Sequence, residues 1–201
     1  MEKSQTKLLG NMLSKMRIIL VRHGRTLAND ERVFQGDEDE LSKEGKEQIK
    51  KVALRLKKEK IDFIYSSPIR RAADTARAIA KFHPNIKIIF ENELREGEVD
   101  KRFFGKPYSA IADWNNPPKG VESNEDVNKR AKQLIDKIYK KHKKDCVLLV
   151  GHNGINRFLI HVITGQKRED IKQYNTGVSI FDINEDKTHH IHCLNCTKHL
   201  E

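Results

Sequence analysis

The chain has 201 residues, 37% of them hydrophobic and 34% charged, and its 39 basic against 29 acidic residues give a net charge of +10. That length suits one α/β domain and excludes two well-separated cores joined by a linker. No apolar run approaches the roughly 20 residues of a bilayer span, and three cysteines are too few and too odd in number for a disulfide framework.

Residues 1–15 are polar and show little period, so they are expected to form an extension, flexible or a short helix, ahead of one catalytic domain over residues 16–201. They lack the apolar centre and cleavage site of a secretion signal, which with the cysteine count points to the cytoplasm. Ile18-Ile19-Leu20-Val21 reads as a buried parallel strand that ends at Arg22-His23-Gly24. After a polar loop, Ile49, Val52, Ala53 and Leu56 recur at helical spacing, which predicts an amphipathic helix over 42–58. Ile61 to Tyr65 is a second strand, and Ser67-Pro68 is expected to open the next helix, a capping hydroxyl followed by proline at the first helical position. Ile69, Ala72, Ala73, Ala76 and Ile79 form that helix's apolar face.

Ile86 to Phe90 is a third strand, followed by an irregular, proline-containing excursion over 91–122 that is expected to cap a pocket. Ser123 opens a helix whose buried stripe is Val127, Ala131, Leu134, Ile135 and Ile138. Cys146 to Val150 is a fourth buried strand ending at Gly151-His152-Asn153-Gly154; the helix after it stops at Gly165. A short helix near 168–173 and a final hairpin, with strands at 177–183 and 188–194, complete the chain. Strands alternating with helices predict a three-layer α/β/α sandwich around a mostly parallel sheet of about six strands.

The positive charge favours acidic partners. The lysine runs at 57–60 and 140–144, however, fall where helices end, and cations are favoured there. No aromatic residues are interleaved with them as a single-strand stacking platform would need, so neither nucleic acid nor a membrane is expected as a partner. Glycine-rich phosphate loops of the dinucleotide or P-loop type are absent from the sequence.

Parallel sheets place their sites at the carboxyl ends of the strands. There this sequence gathers Arg22-His23-Gly24-Arg25, Ser66-Ser67-Pro68-Ile69-Arg70, the segment from Glu93 to Glu98, and Gly151-His152-Asn153-Gly154. Two histidines, at least two arginines and a carboxylate suit a tetrahedral dianion better than a metal. Guanidinium forks bind phosphate oxygens, neutral imidazole is a nucleophile near neutral pH, and a carboxylic acid can protonate a leaving alkoxide. Helix N-termini after Ser67 and Asn153 would add amide donors, and Gly151 and Gly154 would let backbone approach a ligand closely.

These blocks, in this order, resemble the motifs of the histidine phosphatase superfamily, or phosphoglycerate mutase-like fold: Arg22-His23-Gly24-Arg25-Thr26 with Asn29 and Gln35-Gly36; Leu41-Ser42-Lys43-Glu44-Gly45; Ser66 to Ala76; Gly151-His152-Asn153-Gly154; and Tyr174-Asn175-Thr176-Gly177-Val178. The resemblance spans roughly residues 16–184. It implies that His23 is the phosphorylated nucleophile, that Arg22, Arg70 and His152 complete the phosphate pocket, and that Asn29, Gln35, Gly36 and Asn153 are further contacts. Arg71 could replace Arg70, but the register after Ser67-Pro68 favours Arg70. Glu96 is implied as the general acid, with Glu93 and Glu98 as neighbours that could take its place. Asn29 and Gln35 have a second reading, in which they only hold their loop. Arg25 stands where the family often carries Glu or Gln, and as a third cation it would favour a multiply charged substrate.

The implied activity is metal-independent hydrolysis of a small phosphorylated metabolite, without a cofactor, by a monomer or homodimer. The alternatives are a phosphoglycerate mutase of the same fold and a non-catalytic polyanion-binding module. Gly97-Glu98-Val99 departs from the segment that such mutases carry after the acid, which favours hydrolysis. Cys193, Cys196 and His199 have zinc-like spacing if His190 or His192 joins them; the favoured reading is an edge strand with a reduced tail.

Overall fold

The structure is a computed structural model that describes residues 15–201. The N-terminal extension therefore falls outside the described residues, except for Lys15, which belongs to the first strand.

Among the described residues six strands form one sheet in the order β3-β2-β4-β1-β5-β6. They are β1 (Lys15–Arg22), β2 (Phe63–Ser66), β3 (Ile88–Phe90), β4 (Cys146–Gly151), β5 (Val178–Asn184) and β6 (His189–Cys196). The first four run parallel, with Arg22 opposite Gly151 at the end of the central β1–β4 pair. β5 and β6 add antiparallel pairings on the β1 side, joined by the expected hairpin.

Among the described residues five α-helices accompany the sheet: α1 (Leu27–Glu31), α2 (Lys43–Leu56), α3 (Arg70–Ala80), α4 (Asn124–Lys141) and α5 (Asn153–Thr164). Strand side chains alternate between two cores, as the period of a pleated strand requires. Met16, Ile18 and Leu20 of β1 face Leu134 and Ile138 of α4 and Leu159 of α5. Ile19 and Val21 face Val52 and Leu56 of α2 and Ala76 and Ile79 of α3. The sheet is thus buried on both faces, which explains why its central strands read as continuous apolar runs.

Local chemistry sets the helix ends. Ser42 and Ser123 accept hydrogen bonds from the amides of Gly45 and Asp126 at the starts of α2 and α4. Gly165 closes α5 at φ 71°, the left-handed conformation that glycine adopts without strain. Lys140 and Lys141 occupy the last turn of α4, beside its negative dipole end.

Two elements differ from the sequence expectation. The loop after β1 contains α1, a single turn closed by a reciprocal Thr26–Asn29 capping box. α3 begins at Arg70 rather than at Ser67-Pro68, and Ser67 does not cap it. The Ser67 hydroxyl instead accepts from Ile69 N and lies 2.8 Å from His152 Nε2. The 91–122 excursion carries short 3-10 turns and a core of its own, where Phe34, Phe103 and Ile111 are buried against Val99, Trp114 and Val121.

Candidate active site

β1 and β4 lie side by side, so the residues that leave their carboxyl ends meet. His23 N donates to Gly151 O at 3.0 Å, and the His23 and His152 rings stand 5.1 Å apart. Both are buried, at 2% and 0% exposure. Four further bonds pin the chain around His23. Gly24 N donates to Thr75 Oγ1 on α3, Thr176 N donates to the Arg22 and His23 carbonyls, and Asn175 Nδ2 donates to His23 O.

His23 Nδ1 lies 2.7 Å from Gly24 O. A carbonyl only accepts, so Nδ1 carries the proton and Nε2 keeps the lone pair. Burial first, and then the cations of Arg71 and Arg22, push the imidazole well below its ordinary value; the Gly24 carbonyl opposes this. His152 is pushed the same way by burial, Arg71, His23, Arg22 and Arg95. Both rings are therefore neutral at physiological pH.

Two guanidiniums face this pair. Arg22 is anchored by Nη1 to Gln173 O and Arg71 by Nη1 to Gly36 O, each at 2.7 Å. Burial lowers the affinity of both for their protons, and the negative charge of Glu96 offsets part of that cost at each. Arg22 Nε, Arg71 Nε and His152 Nδ1 are buried polar atoms with no partner among the described residues. Such atoms are costly in isolation, and together they form a donor set suited to an anion.

The arginine of the second motif is the main departure from the sequence reading. Arg71 is 3% exposed and sits with the histidines. Arg70 points to the surface, pairing with Glu40 at 2.8 Å and with Asp74 at 4.0 Å. The late start of α3 sets this register. Arg70, Asp74 and Arg77 share the solvent face, while Arg71 and Thr75, one turn apart, share the buried one. That charged stripe at i, i+4 and i+7 was visible in the sequence and would have selected Arg71.

Arg25 is likewise outside the cluster. Its guanidinium is held at the surface by Asp30 and Glu44. Asn29 Oδ1 accepts from Thr26 N and from Asn175 Nδ2, and Gln35 Oε1 accepts from the Thr26 hydroxyl, so both brace the loop after β1. Gly36 supplies the carbonyl that holds Arg71, and Asn153 opens α5 next to His152.

Glu96 lies at the α5 N-terminus. Its carboxylate accepts from Gly154 N at 3.0 Å and Ile155 N at 3.1 Å. These amides, expected to face a ligand, face Glu96 instead. Glycine at 154 leaves room for this carboxylate: a Cβ there would lie 2.5 Å from Glu96 Oε1, and the glutamate side chain would have to swing aside. A groove of about 920 Å³ opens beside Glu96, lined also by Arg95, Glu98, Glu122 and Arg130; the two histidine rings do not line it. Neighbouring acids are engaged elsewhere, Glu93 toward Lys137 and Glu122 with Arg130. Among the described residues, no three His, Cys, Asp or Glu side chains gather as a metal ion would need, and the Cys193, Cys196 and His199 set is no exception.

A mostly parallel sheet that carries paired neutral imidazoles and buried guanidiniums on its carboxyl rim has the architecture of an α/β phosphatase. The comparisons with known proteins agree. Residues 18–197 match the family model of the histidine phosphatase superfamily, branch 1. The chain is 32% identical over 199 residues to phosphoglycerate mutase-like protein 4 of Arabidopsis thaliana, covering 92% of this chain and 86% of that protein. It is 33% identical over 185 residues to the metal-independent phosphoserine phosphatase of the same plant, covering 85% and 77%. The solved structure of Bacillus stearothermophilus YhfR superposes with a TM-score of 0.82 at 25% identity, covering 92% of this chain and all of that one. The chain belongs to the histidine phosphatase superfamily.

Proposed function

We propose that the protein is a metal-independent phosphatase that hydrolyses a small phosphomonoester through a phosphohistidine on His23. The observation that carries this reading is the Nδ1–Gly24 bond, which leaves the Nε2 lone pair of a neutral ring beside two guanidiniums.

In the first step Nε2 attacks phosphorus and the bond from phosphorus to the leaving oxygen breaks. The Gly24 carbonyl, already accepting from Nδ1–H, supports the positive charge that the ring acquires. Arg22 and Arg71 neutralise the phosphoryl oxygens, and His152 donates a further hydrogen bond. Glu96 takes a proton from the arriving phosphomonoester monoanion and gives it to the departing alkoxide. In the second step Glu96 takes a proton from water, the water oxygen bonds to phosphorus, the P–N bond breaks, and Nε2 recovers its lone pair. Orthophosphate leaves. Arg71, rather than Arg70, fills the arginine role of the second motif in this scheme.

The names of the relatives make phosphoserine and phosphoglycerates the first compounds to assay. Phosphate release from a phosphomonoester panel by wild type, and none by His23→Ala, is the expected result. Isomerisation of 3-phosphoglycerate faster than phosphate release would replace hydrolysis by mutase activity.

A further inference from the structure

We infer that Ser67 is a positioning residue that fixes the tautomer of His152, so that Nδ1 bears the ring proton and donates to the phosphoryl group. The inference rests on the phosphate-binding reading above, and the juxtaposition that carries it is the buried Ser67–His152 bond.

Ser67 and His152 are both fully buried, and Ser67 Oγ lies 2.8 Å from His152 Nε2. A hydroxyl has one proton to give. Ser67 Oγ already accepts from Ile69 N at 3.2 Å. The oxygen has a second lone pair, but accepting from Nε2–H as well would leave the buried hydroxyl proton without a partner among the described residues; donation to His152 Nε2 pairs every group. The neighbouring Ser66 hydroxyl is committed to the Ser67 carbonyl and does not compete.

An imidazole that accepts at Nε2 and is neutral must carry its proton on Nδ1. Nδ1 is the buried atom of His152 that lacks a partner among the described residues. The opposite tautomer would aim a lone pair at phosphoryl oxygens, and the two would repel. The bonds form one directed chain, from the Ile69 amide at the start of α3, through the Ser67 hydroxyl and the His152 ring, to the anion. Every dipole in that chain points the same way, so each bond strengthens the next. His23 and His152 thus share a tautomer, protonated on Nδ1, for opposite purposes: His23 offers its free Nε2 to phosphorus, whereas His152 offers its N–H to oxygen.

The test is nitrogen–proton correlation NMR of the imidazoles in the full chain labelled with 15N-histidine at neutral pH, with the His152 signals identified by their loss in His152→Gln. The expected spectrum has His152 Nδ1 in the protonated range and Nε2 in the unprotonated range. In Ser67→Ala the two tautomers mix, and kcat falls about tenfold or more on loss of the oriented donor, with a smaller change in KM. Ser67→Thr, which keeps the hydroxyl, restores the single tautomer. If the threonine does not fit, the alanine spectrum still decides. A protonated Nε2 in the wild type, or a Ser67→Ala spectrum identical to it, overturns the inference. Because the spectrum needs no turnover, an inactive protein with the expected tautomer would remove the phosphatase reading and leave this assignment standing.

Discussion

Two buried neutral histidines tie this protein's stability to pH. In the unfolded chain each imidazole gains a proton as the pH falls through its ordinary value of 6.5, whereas in the folded protein burial and the Arg71 and Arg22 cations keep His23 and His152 neutral well below that. Below 6.5 the unfolded state therefore binds more protons, and unfolding becomes easier as the pH falls. Between about pH 7.5 and about pH 5.5 each histidine removes about 1.4 kcal/mol, and the pair removes about 2.7 kcal/mol. Urea unfolding of wild type at the two pH values, set against His23→Gln and His152→Gln, isolates these contributions. Each single variant should lose about 1.4 kcal/mol less than wild type over the same interval, whatever its absolute stability. Equal losses in wild type and both variants would mean that the rings protonate in the folded state, and the argument for a neutral nucleophile would fail.

The two arginines of the second motif should separate cleanly in steady-state kinetics. Arg71→Ala should lower kcat/KM by about a hundredfold to a thousandfold, the cost of one preorganised donor to the transition state, while Arg70→Ala, which breaks only exposed ion pairs, should stay within about threefold; the reverse order would restore the register expected from the sequence. Gly154→Ala should displace the Glu96 carboxylate and lower kcat by about tenfold or more with little change in Tm, and unchanged kcat would count against Glu96 as the general acid. Arg25→Gln should leave KM for bisphosphates within about twofold, because Asp30 and Glu44 already hold its guanidinium; a selective rise for multiply charged substrates would return Arg25 to the site.

Much of this architecture was legible in the sequence because it is local. The four apolar runs that became β1 to β4 end at polar residues, and the rule that sites sit at carboxyl ends then brought His23 and His152 together. α1 was missed because Leu27–Glu31 is a single turn, too short to show a hydrophobic period; a Thr26–Asn29 hydrogen-bond exchange holds it. The Arg70 and Arg71 choice turned on a two-residue delay in the start of α3, which arises because Ser67 engages Ile69 and His152 instead of capping the helix. Glu96 and Gly154 are 58 residues apart, and no spacing rule announces that the carboxylate occupies the space a side chain would need. The small core of the excursion is equally non-local, since Phe34 precedes it by two helices and two strands.

The proposed mechanism stands on a covalent bond between phosphorus and one nitrogen, so that bond is the thing to capture. Enzyme mixed with a turning-over phosphomonoester and denatured in alkali, where phosphohistidine survives and phosphate esters of the substrate wash away, can be digested and mapped by mass spectrometry. The account predicts one phosphorylated peptide, modified on the imidazole of His23, which disappears in His23→Ala together with phosphate release. Phosphate found on another side chain, or full turnover by the alanine variant, would contradict it.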